Sequence, residues 1–503
     1  MLVKIFTKTI VLLLLLPLVL ELSSCKKDKI ITDGNARVQF SQDSVLFDTV
    51  FTSIGSSTRN FRVRNKNSQR INISAIRLRG GSASAFIVNV DGQKGTQFQD
   101  LEIGANDSIY IFVQVHINPN NASSPLIVND ALDFDVNGKT QTVVLEAWGQ
   151  DAYYHVPTNA FKYKDGTYFP YSIVDTLKSS YTRSGNDFIW KNDKPHVIYG
   201  YLAVDSLQHL IIPAGTKVYL NYKAGIWIYN CGQIKVKGEK DKEVVFQGAR
   251  LEKDYADEPG QWDRIWINEG SDDNEIDYAI IKNAFIGVQA ELFYPSNFYG
   301  KGSVRITNTK IQNMSKWGIY GLAYKITGGN NVVSNCQESC LNVLFGGSYR
   351  FYHCTFANFW NKDKARDQAC ISLNNYTDLQ VLQDTFYFGN CIIDGRLSNE
   401  LNLDFKSDAA VRPVYSFNNC WLKTNLNTAT ANYLNVKTGS DNLVYKDAEH
   451  YNFEPDSKEQ RMQKFANTVA EKDAAFFPFD IKMQSRHTTI ALGGITAGAY
   501  EIP

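Results

Sequence analysis

From Arg37 onward the chain alternates apolar and polar positions in short runs: RVQFS, SVLFDTVF, RNFRVRN, INISAIRL, AFIVNV, SIYIFVQVHI, ALDFDV and TVVLEAWG. Each run is bounded by Gly, Asn, Asp or Ser. A period of two between turn formers predicts strands with one buried face, and Asn137-Gly138 between ALDFDV and the last run predicts a two-residue hairpin. The density of such strands over residues 37–151 predicts an antiparallel β-sandwich. Residues 152–205, rich in Tyr, Pro and Lys, blur the pattern and read as a linker and cap.

The pattern then changes character. LIIPAGTKVYLNYKAGIWIYNCGQIKVKGEKDKEVVFQG packs very short β runs separated by single turn residues, with no hairpin signal and no helix long enough for a crossover. Strands that bend without reversing wind into a coil, each pairing with its equivalent one turn later. Repetition supports that reading: IDYAIIKNAFIGVQAE, VRITNTKIQNMSKWGIYGL, NVVSNCQESCLNV, YRFYHCTFANF, FYFGNCIIDG and YSFNNCWLKT each run from alternation through Asn-Cys or Asn-Thr to a further apolar stretch. The expected fold is all-β, a sandwich followed by a parallel β-helix over 206–445 and a closing segment over 446–503.

Those runs resemble the right-handed parallel β-helix, pectate-lyase-like family. IPAGTKVYL, GIWIYNCGQIKVKG, VVFQG and QWDRIWI are similar to its opening coils, and DIKMQSRHTTIALGGITAGAYEIP to its closing segment. The first domain resembles the immunoglobulin-like modules of bacterial surface lipoproteins. The family holds enzymes and non-enzymes on one scaffold, so the resemblance implies fold more than activity. Its β-eliminating members imply a Lys or Arg base beside carboxylate-bound calcium. Arg350, Lys364, Arg366, Arg396 and Arg412 lie in the middle coils, and no motif selects one.

The chain has 503 residues, with 52 basic and 52 acidic side chains. That balance removes a general attraction to nucleic acid. Residues 1–24 carry Lys4 and Lys8, the apolar run IVLLLLLPLVL and small residues, the layout of a signal peptide. LSSC resembles a lipobox, which implies acyl chains such as palmitate on Cys25, a tether over 25–36 and an outer-membrane anchor. KKDK after Cys25 leaves the periplasmic and the outward-facing side both open.

Seven further cysteines all follow residue 230, four of them as Asn-Cys pairs. Metal ligands, disulfides and a repeated structural position are the three readings. Stacked coils favour the last, one bend and one inward ladder position, because buried thiols pack as small hydrophobes. No G-x-S-x-G, H-E-x-x-H or P-loop is present, and the seven His are scattered.

Residues 253–277 hold nine carboxylates together with Trp262, Arg264 and Trp266. These three are the expected ligand contacts, with the aromatic rings placed against sugars. Asp272, Asp273 and Glu275 are the expected oxygen ligands if calcium is used; the opposing reading is a solvated turn. Asp-Ser/Thr-aliphatic triplets resemble a periplasmic O-glycosylation sequon and mark Ser44, Thr49, Ser108, Thr176 and Ser206. The expected function is an envelope lipoprotein whose β-helix binds polysaccharide. A calcium-dependent lyase or a glycoside hydrolase is one alternative, and an adhesin or assembly scaffold the other.

Overall fold

The computed structural model describes residues 29–502 except 53–54, 119–125, 163–165, 167, 293–301, 363, 409–410, 460, 463–464, 466–476 and 487–494. The segment expected as a signal peptide, and Cys25 expected as the lipid site, lie outside the described residues. Two compact units divide the chain, Met1–Asp151 and Ala152–Pro503.

In the first unit two five-stranded sheets enclose one core. The first sheet runs Gln39–Phe40, Arg59–Arg64, Ser108–Val115, Phe86–Val90 and Gln93–Gly95, all antiparallel. The second runs Ser44–Phe51, Lys139–Gln150, Leu126–Val136, Ile71–Leu78 and Gln97–Ile103. Alternation sends Phe61, Val63, Ile111, Val113, Phe134 and Leu145 inward. Asn137 and Gly138 both take positive φ, 48° and 78°, and join Val136 to Lys139 as the hairpin expected of them. One expectation is corrected: Ser44–Phe51 pairs parallel with Lys139–Gln150, so this sheet is mixed. The two strands lie nearly one hundred residues apart in sequence, beyond the reach of local turn signals.

The second unit is a parallel β-helix of three faces, visited in the order A, B, C on each coil from Tyr201 to Leu422. Face A takes Tyr201–Val204, Gly225–Ile228, Ile265–Ile267, Ile286–Glu291, the first halves of Trp317–Gly329 and Leu341–Tyr352, Ile371–Asn374 and Leu401–Asp404. Face B takes His209–Pro213, Gln233–Lys237, Asn274–Asp277, Ser303–Thr307, the second halves of the same two long strands, Asp384–Gly389 and Tyr415–Asn418. Face C is an eleven-stranded parallel sheet from Tyr153–His155 to Lys437–Thr438. Strand pairing fixes the inward ladders. Leu202, Ile226, Ile265, Val288, Ile319, Leu341, Ile371 and Leu401 succeed one another on face A. Phe351, Phe388, Phe417 and Tyr433 stack inside face B at 5.4, 4.9 and 5.5 Å between centroids.

The stretch expected as a linker and cap pairs with the strands of this unit. Tyr153–His155 pairs parallel with His196–Ile198, and Tyr168–Ile173 with Tyr201–Val204. Two antiparallel hairpins, Asn159–Lys162 with Tyr168–Ile173 and Tyr181–Ser184 with Asp187–Trp190, break the coil pattern at this end. Hairpins at an end leave fewer unpaired edge groups exposed, and their mixed spacing hides the coil period in the sequence.

Bends carry asparagine in the left-handed region. Before face C stand Asn308, Asn330, His353, Asn390, Asn419 and Asn435, and at its far end Asn283, Asn313 and Asn335, all with φ between 49° and 65°. Asn tolerates this conformation better than other residues with a Cβ. The amides also bond along the axis: Asn330 Nδ2 donates to Asn308 Oδ1 (3.0 Å), Asn313 Nδ2 to Asn283 Oδ1 (2.7 Å) and Asn435 Nδ2 to Asn419 Oδ1 (2.6 Å).

This corrects the single position expected for the Asn-Cys pairs. Cys354, Cys391 and Cys420 form one buried ladder at the entry to face C, with Cys391 N donating to Cys420 Sγ at 3.3 Å. Cys336 ends a face C strand opposite Met314, Cys340 neighbours Cys370, and Cys231 is exposed on a turn. All seven are free thiols. Burial pushes the thiols of Cys340, Cys370 and Cys391 up, which keeps them protonated.

The C-terminal residues lie on the outside of face C. Ile481, Ala499 and Tyr500 pack on Val332 and Ala357, and Ala497 with Phe465 on Ile392 and Trp421. Arg486, fully buried, pairs with Glu501 and donates to Asn330 Oδ1 at 2.8 Å, tying this segment to the asparagine bend.

Candidate functional site

On each strand of face A, every second side chain points away from the coil interior. Pairing aligns the outward residues Trp227, Trp266, Gln289, Tyr320, Asn342, Ser372 and Asn402 in one column. Successive members stand one coil apart, about 4.8 Å. A second column two residues on holds Glu291, Leu322 and Leu344. In the first column the core pattern is reversed, with amides, indoles and hydroxyls replacing aliphatic residues.

A hydrogen-bonded chain runs through the early coils. Tyr201 Oη donates to Asp263, whose other oxygen accepts from Arg264 Nε at 2.9 Å. Arg264 Nη1 donates to Gln289 Oε1, and Gln289 Nε2 to Glu291 Oε2 at 2.6 Å. Glu291 Oε1 accepts from Trp266 Nε1 at 2.6 Å and Asn268 Nδ2 at 3.2 Å, and Asn268 Oδ1 accepts from Trp227 Nε1. Glu291 therefore holds three side-chain donors while only 6% exposed. Its two oxygens are thus already occupied by neighbouring side chains. Burial and the Glu291 charge push the Tyr320 phenol up to about 12, so it stays a neutral donor at ordinary pH.

Aromatic rings surround this chain. Trp227 and Trp266 stack at 5.7 Å with 21° between planes, and Phe169 meets Tyr201 at 4.2 Å and both indoles edge-on. Stacking uses the facing sides of the two indoles, and both N–H groups are spent internally. Their rims, with exposed Tyr229 4.9 Å from Trp227, are what remains for contact. Further along, Trp317 stacks on Tyr320 at 4.4 Å, with Lys316 Nζ 3.9 Å from the Trp317 ring.

The expected ligand contacts divide. Trp266 and Arg264 belong to this network, but Trp262 is buried, with Nε1 donating to Lys282 O at 2.9 Å, and offers no ring to a ligand. The expected calcium ligands do not converge. Asp273 pairs with Lys235 (2.6 Å), Glu275 with Lys237, and Asp272 accepts from Ser303 Oγ. The pairs run along the outside of face B, where Lys235 lies opposite Glu275, and Glu275 opposite Arg305. Among the described residues no three His, Cys, Asp or Glu side chains are grouped to hold a metal ion. Of the basic residues in the middle coils, Arg366 is buried against Glu400, and Arg350, Lys364, Arg396 and Arg412 are exposed. Of the sequon residues, Thr176 and Ser206 lie on exposed turns, while Ser44, Thr49 and Ser108 are half-buried in strands.

The residues missed in the sequence are Tyr201, Trp227, Asn268, Gln289, Glu291 and Tyr320. One local signal was available for the indole pair: GIWI and RIWI are the same strand one coil apart.

No protein-family model matches the chain, and no curated protein matches it. Solved structures with a likeness include the Agl-KA catalytic domain, at 11% identity over 76% of each chain with a TM-score of 0.29. Another is the catalytic unit of the GH87 alpha-1,3-glucanase from Streptomyces thermodiastaticus strain HF3-3, at 12% identity over 66% of this chain and 68% of that one, TM-score 0.28. A family 123 glycoside hydrolase from Clostridium perfringens matches 22% of this chain, at 12% identity and a TM-score of 0.16; the match spans 25% of its own length. At these scores the architecture rests on the strand pairing of this chain itself.

Proposed function

We propose that face A binds an uncharged polysaccharide, with the chain held at the outer membrane by acyl groups on Cys25. The observation that carries this reading is the outward column Trp227, Trp266, Gln289, Tyr320, Asn342, Ser372 and Asn402, which repeats hydrogen-bonding or aromatic groups once per coil. A polymer of hydroxyl-rich rings matches a surface with that repeat. The carboxylates Asp263, Glu291 and Asp404 on the same face disfavour an anionic chain. Binding rather than hydrolysis is favoured because Asp263 and Glu291 are both engaged by neighbouring donors.

The test is affinity electrophoresis of the mature chain against neutral and acidic polysaccharides, with product analysis of the same mixtures. Retardation by a neutral polymer, lost in Trp266→Ala and without new chain ends, is the expected result. Appearance of new reducing or unsaturated ends would replace this reading with a hydrolase or lyase.

A further inference from the structure

The two sheets of the first unit differ sharply in charge. The strands Gln39–Phe40, Arg59–Arg64, Ser108–Val115, Phe86–Val90 and Gln93–Gly95 contain Arg59, Arg62, Arg64 and Lys94 and no Asp or Glu. The opposite sheet carries Asp100, Glu102, Asp130, Asp133, Asp135 and Glu146. Its arginines are neutralised: Arg70 pairs with Glu102, Arg77 with Asp135 and Arg79 with Asp133. No ion pair is formed by Arg62 or Arg64 with a described carboxylate.

Both of these arginines project from the outer face of the basic sheet beside exposed aromatic rings. Tyr110 and Phe112, 44% and 39% exposed, stack at 6.2 Å with 26° between planes. Arg62 donates to Tyr110 Oη at 2.6 Å, with its guanidinium carbon 5.0 Å from the ring centroid. Pairing places Asn60 opposite Phe112, and Arg62 opposite Tyr110. Arg62, Arg64, Tyr110 and Asn60 line a surface groove of about 350 Å3 together with Gln39 and Ser41. An exposed aromatic pair offers apolar ring faces to a ligand, and guanidinium groups without a carboxylate partner recognise carboxylate or sulfate in a fork geometry.

We propose that this sheet face is a second glycan site, specific for sugars bearing carboxylate or sulfate, with Arg62 and Arg64 taking the anionic group and Tyr110 and Phe112 the ring. It is independent of face A, whose carboxylates select the opposite kind of chain. The mature full-length protein is titrated with an oligogalacturonate, with its carboxyl-reduced neutral form, and with a dextran sulfate oligosaccharide. At least one anionic probe binds. The neutral form binds at least tenfold more weakly, and Arg62→Gln/Arg64→Gln weakens the anionic probe at least tenfold. Trp266→Ala leaves that binding unchanged, which separates this site from face A. An unchanged denaturation midpoint of the Gln variant distinguishes lost recognition from lost folding. Equal binding of the neutral form, an unaffected Gln variant, a Gln variant that loses binding only through a lowered midpoint, or retention on phosphatidylglycerol vesicles with no glycan binding would each overturn the proposal.

Discussion

Faces A and C of the β-helix are built from the same coils yet treat their outward positions in opposite ways. On the later coils of face C those positions include Val332, Ile392 and Trp421, and the C-terminal segment covers them. On face A they are Trp227, Trp266, Gln289, Asn342, Ser372 and Asn402, where side-chain hydrogen bonds link Asn402 to Ser372 and tie Gln289 and both indoles to their neighbours. The inward ladders are alike and only specify the scaffold. Whether a face is covered by another segment is decided by the outward ladder, because an apolar one gains from burial whereas a polar one must first have its hydrogen bonds satisfied.

The largest expected effect breaks the covered side. Arg486→Ala leaves Glu501 buried without its partner, a loss of about 3–5 kcal/mol. A lowered denaturation midpoint with early proteolytic release of the C-terminal segment checks it, and unchanged protease resistance would count against the covered-face account. Breaking the open side instead, Trp266→Ala removes a donor to Glu291 and one ring of the stack. Glycan affinity falls by tenfold or more, about 1.4 kcal/mol or above, while the C-terminal segment stays protected.

The pH dependence separates the scaffold from both surfaces. His155 Nε2 and His196 Nδ1 lie 2.9 Å apart, His196 Nε2 donates to Lys191 O, and the imidazoles stack beside Trp190. Burial lowers both, His196 to about 4 from an ordinary 6.5. The unfolded chain takes up these protons first, so the pair's contribution is full above pH 6.5 and is lost as pH falls towards 4. Asp384, raised by burial to about 6, acts oppositely: its contribution is present below the ordinary carboxylate range and lost as pH rises through 6. Asp384→Asn therefore stabilises the protein at pH 8, by on the order of 2 kcal/mol, and steepens its acid loss between pH 6.5 and 4. Chemical denaturation across that range is the measurement. The smallest effect belongs to face B, where Lys237→Ala breaks an exposed pair with Glu275. It shifts stability by less than about 1 kcal/mol and leaves glycan binding as it was, in contrast to Trp266→Ala.

The scaffold was legible because successive coils repeat their inward residues and most of the later ones a left-handed Asn. Cys354, Cys391 and Cys420 mark the same step three times, although Cys231 and Cys336 share the dipeptide and not the position. The polar site was legible only in part. Trp266 and Arg264 stood out in a local cluster, but Trp262, four residues away, faces the core. The carboxylates Asp273 and Glu275 looked available until their lysines from the preceding coil were in place.

By itself the sequence determined the coil: period-two alternation, turn residues that tolerate positive φ and repeated apolar ladders leave a winding chain little choice. Only tertiary structure decided which outward residues meet. Trp227 and Trp266 are 39 residues apart, Trp266 and Glu291 25, yet each pair touches. Loops of unequal length between strands erase any fixed spacing in sequence, while strand pairing restores it in space to one coil per step.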